Sequence, residues 1–220
     1  MWFELSPEWL TAVGTISAVI VALGLALMQG LISWFRRPIL TIDFKQVEPF
    51  CRYTTYSQGE EVIIKGIKYW KFEKQQNLGE NQDSYWIRLK VKNKGRSMAR
   101  DCEGKIARIL DYDTLIERTD FDPVNLRWVR AEIIKQININ RNTYEYLDLL
   151  LVDRNHPDTI FLETTENESR GIQLFFPKGN YIVEVIVFAS NCKPVFKKYF
   201  IKSGKISYDE IEIEEFKRKL

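Results

Sequence analysis

The stretch LTAVGTISAVIVALGLALMQGLI, Leu10 to Ile32, runs for 23 residues without a charged side chain. At about 1.5 Å of rise per residue, a helix of this length crosses a hydrocarbon core of about 30 Å. The chain as a whole is 28 % charged, so the charge lies outside this stretch. The remainder of the chain is polar enough for a soluble unit. The expected architecture is one membrane helix followed by one globular domain.

The flanks give the helix its ends and its direction. Ser6-Pro7-Glu8 reads as a helix start: serine at the cap, proline where a missing N–H costs nothing, glutamate at the positive end of the dipole. Trp9 at one end and Trp34-Phe35 at the other suit the two headgroup layers. Arg36-Arg37 follow at once and Pro38 stops the helix, while the opposite flank carries Glu4 and Glu8 and no Lys or Arg. The positive-inside rule then puts the Arg side in the cytoplasm, for a single-pass protein of the cytoplasmic membrane with its N-terminus outside. The expected division is a tail at 1–8, a membrane helix at 9–35, a basic stop at 36–38, a β domain at 39–204 and a C-terminal tail at 205–220. A cleaved signal peptide would need a basic start and a shorter apolar core, and no basic residue precedes Arg36.

Within the helix, Gly14, Ala18, Ala22, Ala26 and Gly30 recur at every fourth position. Such a small-residue ridge lets a second backbone approach closely in lipid, which points to a homodimer or a partner membrane helix. Inert anchoring is the plainer reading of the same composition.

Residues 38–220 are enough for one domain with its own core. Strand patterns dominate it. Leu40, Ile42 and Phe44 alternate with polar residues, and residues 86–92 alternate apolar and basic up to a turn at Asn93-Lys94-Gly95. Ile106 and Ile109-Leu110 belong to the next strand, 144–152 and 181–190 are long β-rich runs, and 195–201 returns after Asn191-Cys192-Lys193-Pro194. Period-2 runs broken by Gly, Asn and Pro predict a mainly β protein with an antiparallel sandwich. Residues 62–64 and 67–72 are candidate short strands, and 75–84 a hairpin tip. At the C-terminus, Ser207-Tyr208-Asp209-Glu210 followed by acids and Lys217-Arg218-Lys219 suits a short helix, whereas Ile211-Glu212-Ile213 suits a strand.

Residues 91–102, VKNKGRSMARDC, end a strand in V-x-N-x-G and lead through a small residue to a second strand. They resemble the first hairpin of prokaryotic adhesion-type and other immunoglobulin-like sandwich domains, the CARDB-like group. Residues 179–191, GNYIVEVIVFASN, are similar to the penultimate strand and turn of the same domains. Leu126-Arg127-Trp128 and the strand at 146–151 resemble single-pass prokaryotic membrane proteins of unknown function. The resemblance implies an immunoglobulin-like fold serving as a binding or spacer module; the cysteine pair of antibody-type domains is missing.

Catalytic and metal signatures are weak, and no catalytic residue, metal ligand or cofactor is assigned. His156, the single histidine, sits in the turn composition Arg154-Asn155-His156-Pro157-Asp158 without a nucleophile motif. Cys51, Cys102 and Cys192 are widely spread with no C-x-x-C, and read as small buried or half-buried side chains of a reducing compartment. Gly104-Lys105 lacks the rest of a P-loop. Asp111, Asp113, Glu117, Asp120 and Asp122 form an acidic loop, but Leu115 and Ile116 stand where an EF-hand needs an oxygen ligand and a glycine.

One charged feature has shape. With Ile87, Leu89 and Val91 inward, Arg88, Lys90 and Lys92 form an outward row continued by Lys94 and Arg96. Such a row keeps a sheet soluble, or meets anionic lipid headgroups or an acidic protein. Without aromatics on that face, nucleic acid is not expected. The expected function is a membrane-anchored, non-enzymatic interaction or sensing module with a cytosolic sandwich. The alternatives are an envelope structural domain of reversed topology and a membrane-tethered hydrolase or nucleotide-responsive effector.

Overall fold

The computed structural model describes residues 7–54, 60–64, 67–71, 84–119, 121–129, 136–154, 156–164, 175–204 and 210–217; for 7–10, 12, 33–34, 54, 60–64 and 67–71 only the backbone is described. The chain forms two units, Met1–Arg37 and Pro38–Leu220.

The first unit is one helix, α1 (Pro7–Arg36), of 30 residues. It begins at the proline that suits a first helical position, and it ends two residues before Pro38, whose ring disfavours a helical neighbour. Ser6, the expected cap, lies outside the described residues. Thr15 turns its hydroxyl back onto the Thr11 carbonyl at 2.9 Å, which keeps its one polar group satisfied inside an apolar helix. Residues 13–32 are long and apolar enough to cross a membrane.

The second unit is antiparallel throughout. Its strands are β1 (Leu40–Asp43), β2 (Cys51–Thr54), β3 (Glu60–Ile64), β4 (Ile67–Lys71), β5 (Ser84–Asn93), β6 (Ala99–Asp111), β7 (Val124–Asn125), β8 (Ile137–Ile139), β9 (Tyr144–Asp153), β10 (Thr159–Leu162), β11 (Phe175–Pro177), β12 (Asn180–Ala189), β13 (Cys192–Ser203) and β14 (Ile211–Glu215). Sheet one runs β1-β5-β9-β10-β11, with β2 on the same edge of β5 as β1; sheet two runs β14-β13-β12-β6-β7, with β8 also on β6. β3 and β4 pair with each other as a hairpin, where two short strands were expected.

Alternation explains most of this. Ile87, Leu89 and Val91 of β5 and Val183, Val185 and Val187 of β12 fill the space between the sheets, each fully buried. Two of the bulges, in β9 and β6, place consecutive or unevenly spaced apolar residues in the core. In the β5–β9 pairing Ile87 faces Leu150 but Arg88 faces Asp148, so Leu149 is the extra residue. Leu149 and Leu150 therefore both reach the core, which accommodates an uninterrupted Leu149-Leu150-Leu151. In the β6–β12 pairing the register skips Ala107, so Ile106 and Ile109 both point inward. The sheets interlock at Gly104, where an added Cβ would overlap Leu147 of the facing sheet.

The sandwich is closed along both sides. Residues 124–129 cross from one sheet to the other: the Leu126 amide donates to Gly104 of β6 at 2.8 Å, and the Val129 amide donates to Tyr146 of β9 at 3.0 Å. Trp128, on this crossing, is buried and donates its indole N–H to the Cys102 carbonyl at 3.2 Å. On the other side the Gln46 side chain pairs like a strand with β14, donating Nε2 to the Ile211 carbonyl at 2.6 Å and accepting the Ile213 amide at 3.3 Å.

One expectation is corrected, and one open alternative is decided. The Asn93-Lys94-Gly95 turn does not close a hairpin, because β5 and β6 lie in different sheets. Residues 211–215 form a strand, not a helix: Ile211 and Ile213 are both buried against the core while β14 pairs with β13, and a helix would point them to different faces. Residues 205–209, with most of the supposed capping box, lie outside the described residues, as does the expected hairpin tip up to residue 83.

Candidate functional site

On α1 every side chain from residue 13 to 32 is exposed. An added Cβ at Gly14 or Gly30 would meet nothing within 4 Å, and Ala18, Ala22 and Ala26 are exposed on the same row. Arg36 and Arg37 are exposed at its end; the Trp9 and Trp34 side chains lie outside the described residues.

The basic row on β5 is not the open cationic face that alternation suggests. Arg88, Lys90 and Lys92 do share the outer face of sheet one, but each is half-buried. Arg88 Nε lies 2.7 Å from Asp148 Oδ1, and Asp148 is almost wholly buried. Asp148 Oδ2 also faces Arg127 Nε at 3.8 Å, and Arg127 Nη2 bonds Glu163 Oε1 at 2.6 Å. Both guanidinium carbons stand over the Trp86 ring, at 5.8 and 5.7 Å from its centre. Trp86 in turn packs with Leu151 and Phe161 into a small second core on this outer face. Two arginines and two acids thus form one network on an indole. The network pins the crossing segment, through Arg127, to β5 and β9, and leaves Arg88 unable to serve an anion. Lys90 Nζ sits 3.6 Å from the centre of the Tyr144 ring. The premise that this face lacks aromatics is therefore wrong, although Trp86 is buried and Tyr144, itself exposed, has Lys90 over its ring.

Asp148, Arg127, Trp86 and Glu163 escaped the sequence reading. The signal for the first was present: a carboxylate inside Leu147-Asp148-Leu149-Leu150-Leu151 needs a cation, because a buried charge without one is too costly.

Burial pushes the Glu163 carboxyl up to about 7, with Asp148 adding to the rise and Arg127 and Arg88 opposing it. A folded pKa above the unfolded one stabilises fully below the unfolded value and is lost as pH rises through the folded value. The protein should thus lose stability between its ordinary carboxylate range and pH 7 from this group, and Glu163→Gln should flatten that part of the profile. Thermal melts across pH 4.5–7.5 (about the span of the two values) test this; an unchanged slope in the variant would count against it.

The buried Asn93 side chain makes four hydrogen bonds. Its Nδ2 donates to Ser97 O at 2.7 Å and Ile139 O at 3.0 Å, while Oδ1 accepts from Gly95 N at 2.9 Å and Ile39 N at 3.2 Å. One buried amide joins the chain entering β1, the turn into β6 and β8. This is the physical content of the V-x-N-x-G pattern.

The outer face of sheet two carries a groove of about 640 Å³ lined by Leu110, Leu115, Ile182, Phe196 and Phe216 among others. Its charged rim is matched internally: Arg108 and Lys198 both bond Glu184, holding that carboxyl below its usual range, and Lys197 bonds Glu215. At the tip of β6 the acidic loop is an Asx turn. Asp111 Oδ1 accepts from Thr114 N at 3.0 Å, Asp113 N at 3.1 Å and Thr114 Oγ1 at 3.1 Å. These bonds, the Thr114 amide first, hold the Asp111 carboxyl low. Leu115 follows in the left-handed region at φ 57°, exposed, a conformation a bulky residue rarely adopts.

His156 is partnered rather than solvated, with Nδ1 2.9 Å from Asp153 Oδ2 and its ring edge on Phe161. Cys51 and Cys102 are buried and Cys192 is half-buried; all are free thiols whose pKa burial raises, that of Cys102 to about 12. Among the described residues no three His, Cys, Asp or Glu side chains are grouped to hold a metal ion. Compared with protein-family models, with curated proteins and with solved structures, the chain matches none of them.

Proposed function

We propose that this chain is a membrane-anchored, non-enzymatic interaction or sensing module whose sandwich, of immunoglobulin-like type, faces the cytosol. The observation that carries the reading is the helix surface: twenty consecutive uncharged residues from Val13 to Ile32, long and apolar enough to cross a membrane and all exposed. In water such a surface is strongly unfavourable; in lipid it is at home. The Arg36-Arg37 flank supports the inward direction, and free, weakly acidic thiols are in keeping with a reducing compartment. The strand order β1-β5-β9 facing β6-β12-β13 supports the immunoglobulin-like reading, since it matches the first-second-fifth and third-sixth-seventh strands of that sandwich. The internally bonded Arg88–Asp148–Arg127–Glu163 network supports scaffold rather than catalysis on its face.

The exposed Asp122→Cys, in a Cys192→Ser background, tests the direction. A membrane-impermeant thiol reagent should leave it unmodified in intact cells and modify it after permeabilisation; modification in intact cells overturns the cytosolic placement. Self-association through Gly14, Ala18, Ala22, Ala26 and Gly30 is tested by Ala22→Leu, which inserts as well as the native helix but adds carbons to the contact row. Crosslinking of the full chain should fall by about tenfold; undiminished crosslinking makes the helix an anchor only.

A further inference from the structure

Five cations gather at one end of the sandwich. Lys94 and Arg96 lie in the turn after β5, Arg100 near the start of β6, Arg141 in the turn after β8, and Lys193 just past the β12–β13 turn; all are exposed. Hydrogen bonds tie these segments together. The Lys94 amide donates to Ile39 O at 2.7 Å, the Asn142 amide to Asn93 O at 3.0 Å, the Ser190 amide to Arg100 O at 2.9 Å, and Asn191 Nδ2 to Met98 O at 2.8 Å.

Elsewhere on the domain several cations are paired with acids, whereas among the described residues this end brings five unpaired ones together. Arg88, Arg108, Arg127, Lys197, Lys198 and Lys202 each bond a carboxylate. None of the five end cations has an ion pair among the described residues. The carboxylate on these turns is Asp101, which accepts from Ser190 Oγ at 2.9 Å. The opposite end of β6 carries Asp111, Asp113 and Glu117 together with Arg118, so it lacks the cation excess of the first end.

The basic end is also the end at which the chain arrives. Three residues, Arg37-Pro38-Ile39, join the last residue of α1 to Leu40 of β1. Fully extended they reach about 10 Å, roughly the distance over which physiological salt screens a charge. We infer that this end, with Lys94, Arg96, Arg100, Arg141 and Lys193 as its contacts, docks on the anionic phospholipid headgroups of the membrane that α1 crosses. The inference rests on the membrane-anchor reading. Lipid is preferred to an acidic protein because the tether keeps the end within reach of headgroups that are present in excess. The far end of β6, with acids and cations mixed, offers that surface no comparable attraction.

The test uses the full chain in nanodiscs of phosphatidylcholine alone and of phosphatidylcholine with about 30 % phosphatidylserine. Amide hydrogen exchange at residues 94–98, 140–143 and 190–194 should slow by about tenfold in the anionic discs and recover in high salt. Residues 112–117 should exchange equally in both. The variant carrying Lys94→Glu, Arg141→Glu and Lys193→Glu should lose the protection while β5 and β12 stay as protected as in the native chain, which shows it folded. Equal exchange in the two lipids overturns the proposal, as does protection that survives in the variant. A chain that enters the discs without this dependence refutes the docking alone. A chain that fails to enter them refutes the anchor and the docking with it.

Discussion

Replacing Asn93 by leucine should destabilise the sandwich by about 4–6 kcal/mol, a large part of the 5–15 kcal/mol that holds a typical domain together. The side chain makes four hydrogen bonds, all to backbone groups: Ser97 O, Ile139 O, Gly95 N and Ile39 N. Asn93 is fully buried, so water does not replace what the amide supplied. Each orphaned peptide group costs about 1–3 kcal/mol when it stays dry, and relaxation recovers part of the sum. Asn93→Asp separates hydrogen bonding from size, since it keeps the two accepted bonds but turns an oxygen toward two carbonyls. It should be nearly as damaging. Denaturant titration followed by tryptophan fluorescence measures both; a loss below about 1 kcal/mol in the leucine variant would mean that the turn holds itself.

Asp148→Ala is expected to cost about 3–5 kcal/mol. It removes the acid between Arg88 and Arg127 and leaves Arg88, 13 % exposed, facing an empty site beside Trp86. The sign of the coupling separates charge from packing. Changing Arg88 to leucine together with Asp148 to leucine removes the charge pair as well as its desolvation, and should cost less than Asp148→Ala alone. If the double variant is instead as unstable as the sum of the two single ones, the pair is not coupled and Asp148 acts through packing.

How far the residues announced this fold can be judged element by element. α1 was legible because 23 uncharged residues admit few other uses. β5 was legible because strict alternation holds from Ile87 to Lys92, and β12 and β13 because they are β-rich runs bounded by turn residues. The bulge at Leu149 was not, since three consecutive leucines hide which of them faces inward until the partner strand is known. Residues 211–215 admitted both helix and strand because five residues are too few for either period to decide; pairing with β13 settles the matter. For the candidate surfaces, outward direction was read correctly for Arg88 and Lys90, but exposure was not. Alternation reports which side of a sheet a residue occupies and is silent on what lies across from it. Asp148 and Tyr144 stand on β9, more than fifty residues along the chain. The gathering of Arg100, Arg141 and Lys193 beside Lys94 is likewise a product of topology, invisible in a sequence where they are scattered.

Gln46 stands guard over a strand edge. β14 is the last strand of sheet two, and an outermost strand offers its free amides and carbonyls to any chain that can lie alongside it. The glutamine amide occupies one carbonyl and one N–H of that edge, Ile211 O and Ile213 N, in the manner of a pairing strand. On the proposed reading of α1 as an anchor, the protein diffuses in two dimensions, where copies collide often and with their domains at matching heights. Under those conditions an open edge would invite runaway strand exchange between neighbours. One side chain, contributed by the segment between β1 and β2, closes the place where such a ribbon would begin.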